Sequence, residues 1–222
     1  MRRSSLVPAG LLILSLGVVI LLVHYLRTFE KRAALRSQEP SVPSGSVVEV
    51  RGQYFYDTID GLSFKVPPEG WQMQLLRRPD SLPPENPART VLSNVVPLVV
   101  AHKSTAGDTL AAVTVGVLWQ TIPRDAYDCA VRALGELIAE YERGHSRVRL
   151  LKEVTVTGKG TNAGAYFMVV LPEKARESMP VWVVSVSVRD FLACFFLAKT
   201  SEVAYPGVRS DIERIVESFR WL

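Results

Sequence analysis

The chain has little cysteine and little histidine, and the scarcity of each narrows its chemistry. Two cysteines in 222 residues, Cys129 and Cys194, exclude a disulfide scaffold and a multi-cysteine zinc module. They lie far apart in the chain, one on an expected helix and one on an expected strand. They read as separate buried thiols, although a pair across a helix–sheet interface is also open. The three histidines, His24, His102 and His145, have no partner at ligand spacing, and neither HExxH nor CxxC occurs. No GxSxG elbow marks any serine. Asp57 and Asp60 flank a turn and read as turn residues. No metal, cofactor or reacting set is expected, and the chain reads as a non-enzyme.

A surplus of charge is also missing where it would matter. The net charge of +4 resides wholly in residues 1–46, and residues 47–222 are neutral. A neutral main domain has no basic face for phosphates, so nucleic acid is not an expected partner. A hydrophobic fraction of 48% and a charged fraction of 22% exclude a wholly disordered or collagenous chain.

What the sequence does have is an apolar run near its start. Leu6 to Val23 carries no charge, and Ser15 is its one polar side chain. Continued to Leu26, it is long enough to cross roughly 30 Å of hydrocarbon as a helix. No small-x-small cleavage site follows, so residues 1–26 are expected to be an uncleaved single-pass anchor in the cell membrane. Lys/Arg counts near its two ends favour a cytoplasmic domain slightly, whereas the short leader with Arg2 and Arg3 favours the opposite side. Gly10, Leu14 and Gly17 fall on one stripe of that helix, a candidate docking surface for another membrane helix. His24, beside Tyr25 at the expected interface, is a weaker candidate for the same contact.

Residues 27–46 read as a juxtamembrane helix, RTFEKRAALR, and a spacer, SQEPSVPSGS. The folded domain is expected over residues 47–222. Val47 to Ile59 reads as one strand, and Leu62–Val66 as its hairpin partner across Asp60-Gly61. Prolines make residues 77–88 a loop. Strands are expected at Val95–His102 and Ala111–Trp119. A helix over 125–143 follows, with Asp125 as N-cap and Gly144 just past its end. Strands at Leu150–Thr157, Ala163–Leu171, Pro180–Val188 and Phe191–Lys199 then form a meander. A helix from Pro206 to Arg220 closes the chain. The fold class is α+β: an antiparallel sheet with a central and a C-terminal helix packed on it. Phe64, Trp71 and Phe219 are expected in one core. Trp119, Trp182 and Trp221 read as core or rim packing. Gly158-x-Gly160-x-x-Ala163 imitates a dinucleotide fingerprint, but a strand follows it and so it reads as a hairpin turn.

The string Asp60-Gly61-Leu62-Ser63-Phe64-Lys65-Val66-Pro67, followed by Glu69-Gly70-Trp71, resembles the opening of PsbP-like domains. The closing segment from Ile212 to Ser218-Phe219 is similar to their terminal helix. The resemblance covers about residues 47–222. It implies an α/β/α sandwich around an antiparallel sheet. It also implies membership of a largely non-enzymatic superfamily of photosystem II accessory proteins, a Ran-binding import factor and bacterial lipoproteins. The chain departs from the plant photosystem proteins in its uncleaved anchor and its proline-rich loop. The expected function is an accessory, scaffolding or assembly subunit of an integral membrane protein complex, held at the lipid bilayer. A membrane-tethered small-ligand-binding or sensor module is the alternative, because a sheet–helix sandwich can open a pocket between its layers.

Overall fold

The computed structural model describes residues 41–76, 91–105, 108–144, 147–157, 162–170 and 180–222. The expected anchor, with Gly10, Leu14, Gly17 and His24, lies outside the described residues, as do the expected 77–88 loop and His145. Among the described residues no helix is long and apolar enough to cross a membrane.

The first strand expected from sequence is two. β1 (Val48–Arg51) and β2 (Tyr54–Asp57) pair antiparallel, with Arg51 opposite Tyr54. Gly52, at φ +60°, makes the tight turn between them. Positive φ at the first turn residue is free for glycine and matches the twist of a hairpin. β3 (Leu62–Lys65) pairs with β2, and β11 (Arg220–Trp221) pairs with β3. The expected terminal helix therefore stops early. α3 is Tyr205–Glu217, and Phe219 lies beyond it, where the chain turns to add β11. Pro206 occupies its second position, where a missing N–H is tolerated.

The second sheet holds seven strands. They are β4 (Trp71–Leu75), β5 (Val96–Thr105), β6 (Asp108–Trp119), β7 (Arg147–Thr157), β8 (Asn162–Val170), β9 (Pro180–Arg189) and β10 (Leu192–Ser201). Their order is β4-β5-β6-β10-β9-β8-β7, antiparallel throughout. The fold is thus α+β with two antiparallel sheets, not the single sheet expected. The expected meander is β7 to β10, and β6 pairs with the free side of β10. Thr157 of β7 pairs with Asn162 of β8, so the glycine-rich segment joins two antiparallel strands and opens no helix.

The remaining helices are α1 (Val91–Asn94) and α2 (Ala126–Arg143). Asp125 caps α2, its side chain accepting from the Asp128 N–H at 2.8 Å. Gly144 follows the end of α2, as expected, at φ −81°, and its N–H donates to the Tyr141 carbonyl at 3.0 Å. The apolar stripe read from sequence is the buried face: Ala126, Cys129, Ala130, Ala133, Leu134 and Leu137.

The seven-stranded sheet separates two cores. Along β10, Cys194, Phe196 and Ala198 join the core beneath α3 and the small sheet. Ala193 and Phe195 join the core beneath α2. Strand alternation alone accounts for that division. Phe64, Trp71 and Phe219 share the first core, as expected. Cys129 and Cys194 are free and lie in different cores.

Candidate interaction surface at one end of the fold

The β2–β3 turn is built by a buried carboxylate. Asp57 accepts from the N–H groups of Ile59 and Asp60, each at 3.0 Å. This local bonding is the reason short polar side chains favour turns. Gly61 follows at φ +68°, and a Cβ there would stand 2.6 Å from the Arg189 guanidinium. The consequence is an apex that pushes Ile59 outward.

Arg189 ties this turn to the rest of the end. Its guanidinium donates to the Asp60 carbonyl at 3.1 Å and to the Leu222 carbonyl at 3.0 Å. It also lies 4.7 Å over the Trp221 ring. Trp221 Nε1 donates to Ser187 Oγ at 3.0 Å, and the Leu222 N–H donates to the Gly61 carbonyl at 2.7 Å. The β9–β10 turn, Asp190-Phe191, is thereby locked beside the β2–β3 turn. Asp190 adopts φ +53°, a conformation that Asp tolerates better than most residues.

The β6–α2 loop joins them. Trp119 pairs with Leu192 in the sheet, and the Gln120 N–H donates to the Phe191 carbonyl at 2.8 Å. Gln120 Oε1 accepts from the Arg124 N–H at 2.8 Å, which folds the loop back toward the α2 cap. Ile59, Trp119, Ile122 and Phe191 are 54%, 46%, 66% and 48% exposed. Large apolar side chains on three converging turns are the kind of surface that marks an interaction site.

The chain also enters the domain here. The Val47 N–H donates to Thr58 Oγ1 at 2.7 Å, and the Thr58 N–H donates to the Val47 carbonyl at 2.9 Å. Thr58 Oγ1 also donates to the Gly45 carbonyl at 2.5 Å. Thr58 immediately precedes Ile59, so the end of the linker and the apolar turns share one end of the fold.

Sequence reasoning does not single out this surface. Trp119 reads as a packing residue, and it is half exposed while Trp71 is buried. Each turn contributes only one or two apolar residues, and pairing across the two sheets is what gathers them. Asp57 and Asp60 serve the turn, as expected.

The other chemistry-bearing groups have structural roles. Asp211 on α3 accepts from Trp71 Nε1 at 3.1 Å and from Lys103 Nζ at 2.5 Å, pinning the terminal helix to β4 and β5. Burial pushes its pKa up, but the bonds from Lys103 and Trp71, with the charges of Lys103 and Arg214, hold it below the ordinary aspartate value. Burial pushes the Cys194 thiol far up, and the Asp60 and Asp57 carboxylates push it further, so it stays protonated and unreactive. His102 lies on β5 opposite Gln72. Among the described residues no three His, Cys, Asp or Glu side chains are grouped as a metal would require.

Surface clefts occur among the described residues. One of about 310 Å³ is lined by Thr109, Lys199 and Thr200, and one of about 250 Å³ by Lys65, Pro67 and Arg214. The first sits at the small end of ligand-site volumes and the second lies below it.

No protein-family model and no curated protein matches this sequence. Solved structures do. The cyanobacterial PsbP (CyanoP) of Synechocystis sp. PCC 6803 matches over 84% of this chain and 99% of that chain, with a TM-score of 0.51 at 16% identity. The chain has a PsbP-like fold. The Ran-binding protein Mog1p of Saccharomyces cerevisiae matches over 72% of this chain and 90% of its own, with a TM-score of 0.49 at 14% identity. At such identities the PsbP-like likeness concerns the fold, and function rests on the site.

Proposed function

We propose that the protein is a non-enzymatic, single-pass membrane-anchored accessory subunit that supports or assembles an integral membrane protein complex. The folded domain is its binding module, on the extracytoplasmic side. The observation that carries this reading is the end described above. Four large apolar side chains stand exposed there, beside the point where the linker enters. An exposed apolar end is the kind of surface through which an accessory domain meets a partner protein. The apolar run at Leu6–Val23 and the neutral domain support the same reading.

Native electrophoresis of gently solubilised membranes tests it, with an antibody against the folded domain as the detector. A C-terminal tag is unsuitable because Leu222 is bonded to both Gly61 and Arg189. The expected result is migration well above the monomer, with loss of that band when the detergent is made harsh. Migration as a free monomer under gentle detergent would count decisively against an accessory subunit.

A further inference from the structure

We propose that the apolar end docks a protein partner whose contact surface is apolar at its centre and rimmed by lysine or arginine. This rests on the accessory-subunit reading above, and it names the chemistry of the partner at that surface.

The first argument is charge. The three turns, residues 57–61, 119–128 and 189–191, carry five aspartates and two arginines, a surplus of three negative charges. Exposure sharpens the sign. Asp125, Asp128 and Asp190 are exposed, whereas Arg124 and Arg189 are half-buried. Arg189 is also occupied, since it donates to the Asp60 and Leu222 carbonyls and lies over Trp221. The charge offered outward is therefore negative, on a domain whose residues 47–222 are neutral as a whole. Opposite charge across an interface steers the approach of the partner, and like charge opposes it. Two copies meeting through this end would set these aspartates against one another, and an anionic lipid surface would be repelled in the same way.

The second argument is the placement of that charge around the apolar side chains. Asp190 directly precedes Phe191, and Asp125 and Asp128 follow Ile122 at three and six residues. An apolar centre within a polar rim is the anatomy of a protein–protein interface. Trp119 and Tyr127 are both about half exposed, and Tyr127 stands between Asp125 and Asp128 in the chain. An aromatic face attracts a guanidinium or ammonium group, as the aspartates do.

The third argument is an unused donor in the same loop. Gln120, between Trp119 and Ile122, is 5% exposed. Its Oε1 accepts from the Arg124 N–H, but among the described residues its Nε2 has no hydrogen-bond partner. A buried donor left unpaired is costly. The loop that carries Ile122 thus has a hydrogen bond to gain once its exposed stretch 121–123 shifts, and a protein partner brings carbonyl oxygens to accept it.

The test follows the large complex in gently solubilised membranes, read as the fraction of the chain that elutes above the monomer. That fraction should fall several-fold when salt is raised, and several-fold at low salt in Ile122→Asp/Phe191→Asp. Asp128→Asn/Asp190→Asn should lower it and flatten its salt dependence, because rim charges are what salt screens. Asp125 is left in place because it caps α2. Carbodiimide, which condenses a carboxylate with a lysine amine in contact, keeps the test independent of the variants. Applied to the unmodified complex, it should join Asp125, Asp128 or Asp190 to a lysine of a different polypeptide.

Each failure is distinct. A complex that resists salt and both pairs of substitutions overturns the proposal and leaves the accessory reading standing on another surface. Sensitivity to Ile122→Asp/Phe191→Asp alone, without sensitivity to salt or to the aspartate pair, also overturns it and marks an uncharged protein face or lipid as the occupant. A carbodiimide product made only of this chain marks a second copy and overturns it too. No complex above the monomer under gentle detergent overturns the accessory reading, and this proposal with it.

Discussion

On one face of the seven-stranded sheet, beneath α3 and the small sheet, aromatic rings run in a chain. Phe55, Phe64, Phe196 and Phe219 lie 5.1, 5.6 and 5.4 Å from one to the next, and Trp221 continues the chain 4.9 Å from Phe219. On the other face, Ala126, Ala130 and Ala133 of α2 share a core with Val184, Val186 and Ala193, and among the described buried residues Phe195 is its one phenylalanine. The first core is assembled from the two ends of the domain and its middle. The second is a helix on strands, and four of its six buried helix residues are small: Ala126, Cys129, Ala130 and Ala133, beside Leu134 and Leu137. Large rings fill a space between layers that approach at several angles, whereas alanine permits one close, regular contact. The two faces should therefore fail in opposite ways, one by losing volume and one by gaining it.

The largest expected effect breaks the aromatic chain. Phe196 touches both Phe64 and Phe219 and is 2% exposed. Phe196→Ala should cost about 3–5 kcal/mol, read by denaturant unfolding of the solubilised protein. Ala133→Leu on the opposite face should cost about 1–3 kcal/mol through overpacking. Equal costs, or a neutral Ala133→Leu, would mean that the faces do not differ as described.

A smaller effect is expected at the interaction end. Gly61→Ala places a Cβ in a left-handed conformation and against Arg189. It should cost about 1–3 kcal/mol and loosen the grip on Leu222. Hydrogen exchange at the Leu222 amide, bonded to Gly61, should rise in step.

Asp211 gives a pH signature to the aromatic face. Its folded pKa is depressed, so it contributes stability above the ordinary aspartate value of about 3.9. That contribution is lost as pH falls through the lower folded value. Stability measured downward from pH 5 should therefore fall less steeply in Asp211→Asn than in the unmodified protein. Identical slopes would remove Asp211 as the pin between α3 and the sheet.

The smallest effect belongs to the exposed turns. Ile122→Asp touches neither core, and the unfolding free energy should stay within about 0.5 kcal/mol. A larger loss would show that Ile122 packs, and would weaken its claim to be a contact residue.

The legibility of the chain follows the locality of its signals. The α2 stripe is readable because every member lies on one continuous helix. Phe64 is readable as core from the alternation of Leu62, Phe64 and Val66, and Phe219 from its place on the stripe of Val208, Ile212 and Ile215. The split at Gly52 is hidden because Val48–Arg51 and Tyr54–Asp57 are both β-formers, and a lone glycine in such a run also fits a bulge. β11 is hidden because so short a segment carries no periodicity. Its strand character comes only from pairing with β3. The interaction end is illegible for a related reason. Its exposed residues come from three separate turns, and Arg189 looks like any turn-flanking arginine until its carbonyl partners at positions 60 and 222 are seen.

By itself the sequence determined where charge and apolar length reside, the α+β class, the faces of both long helices and three members of one core, Phe64, Trp71 and Phe219. Each of these follows from periodicity or composition, which burial and hydrogen bonding impose locally. The tertiary structure alone decided that there are two sheets, that β6 meets β10 and that the last residues return to β3. It also decided that three turns and the linker's entry point share one end. Those facts depend on which strand finds which partner, and backbone pairing is chemically nearly the same for every pair. The choice is made by how the two cores close together, which no short stretch of the chain encodes.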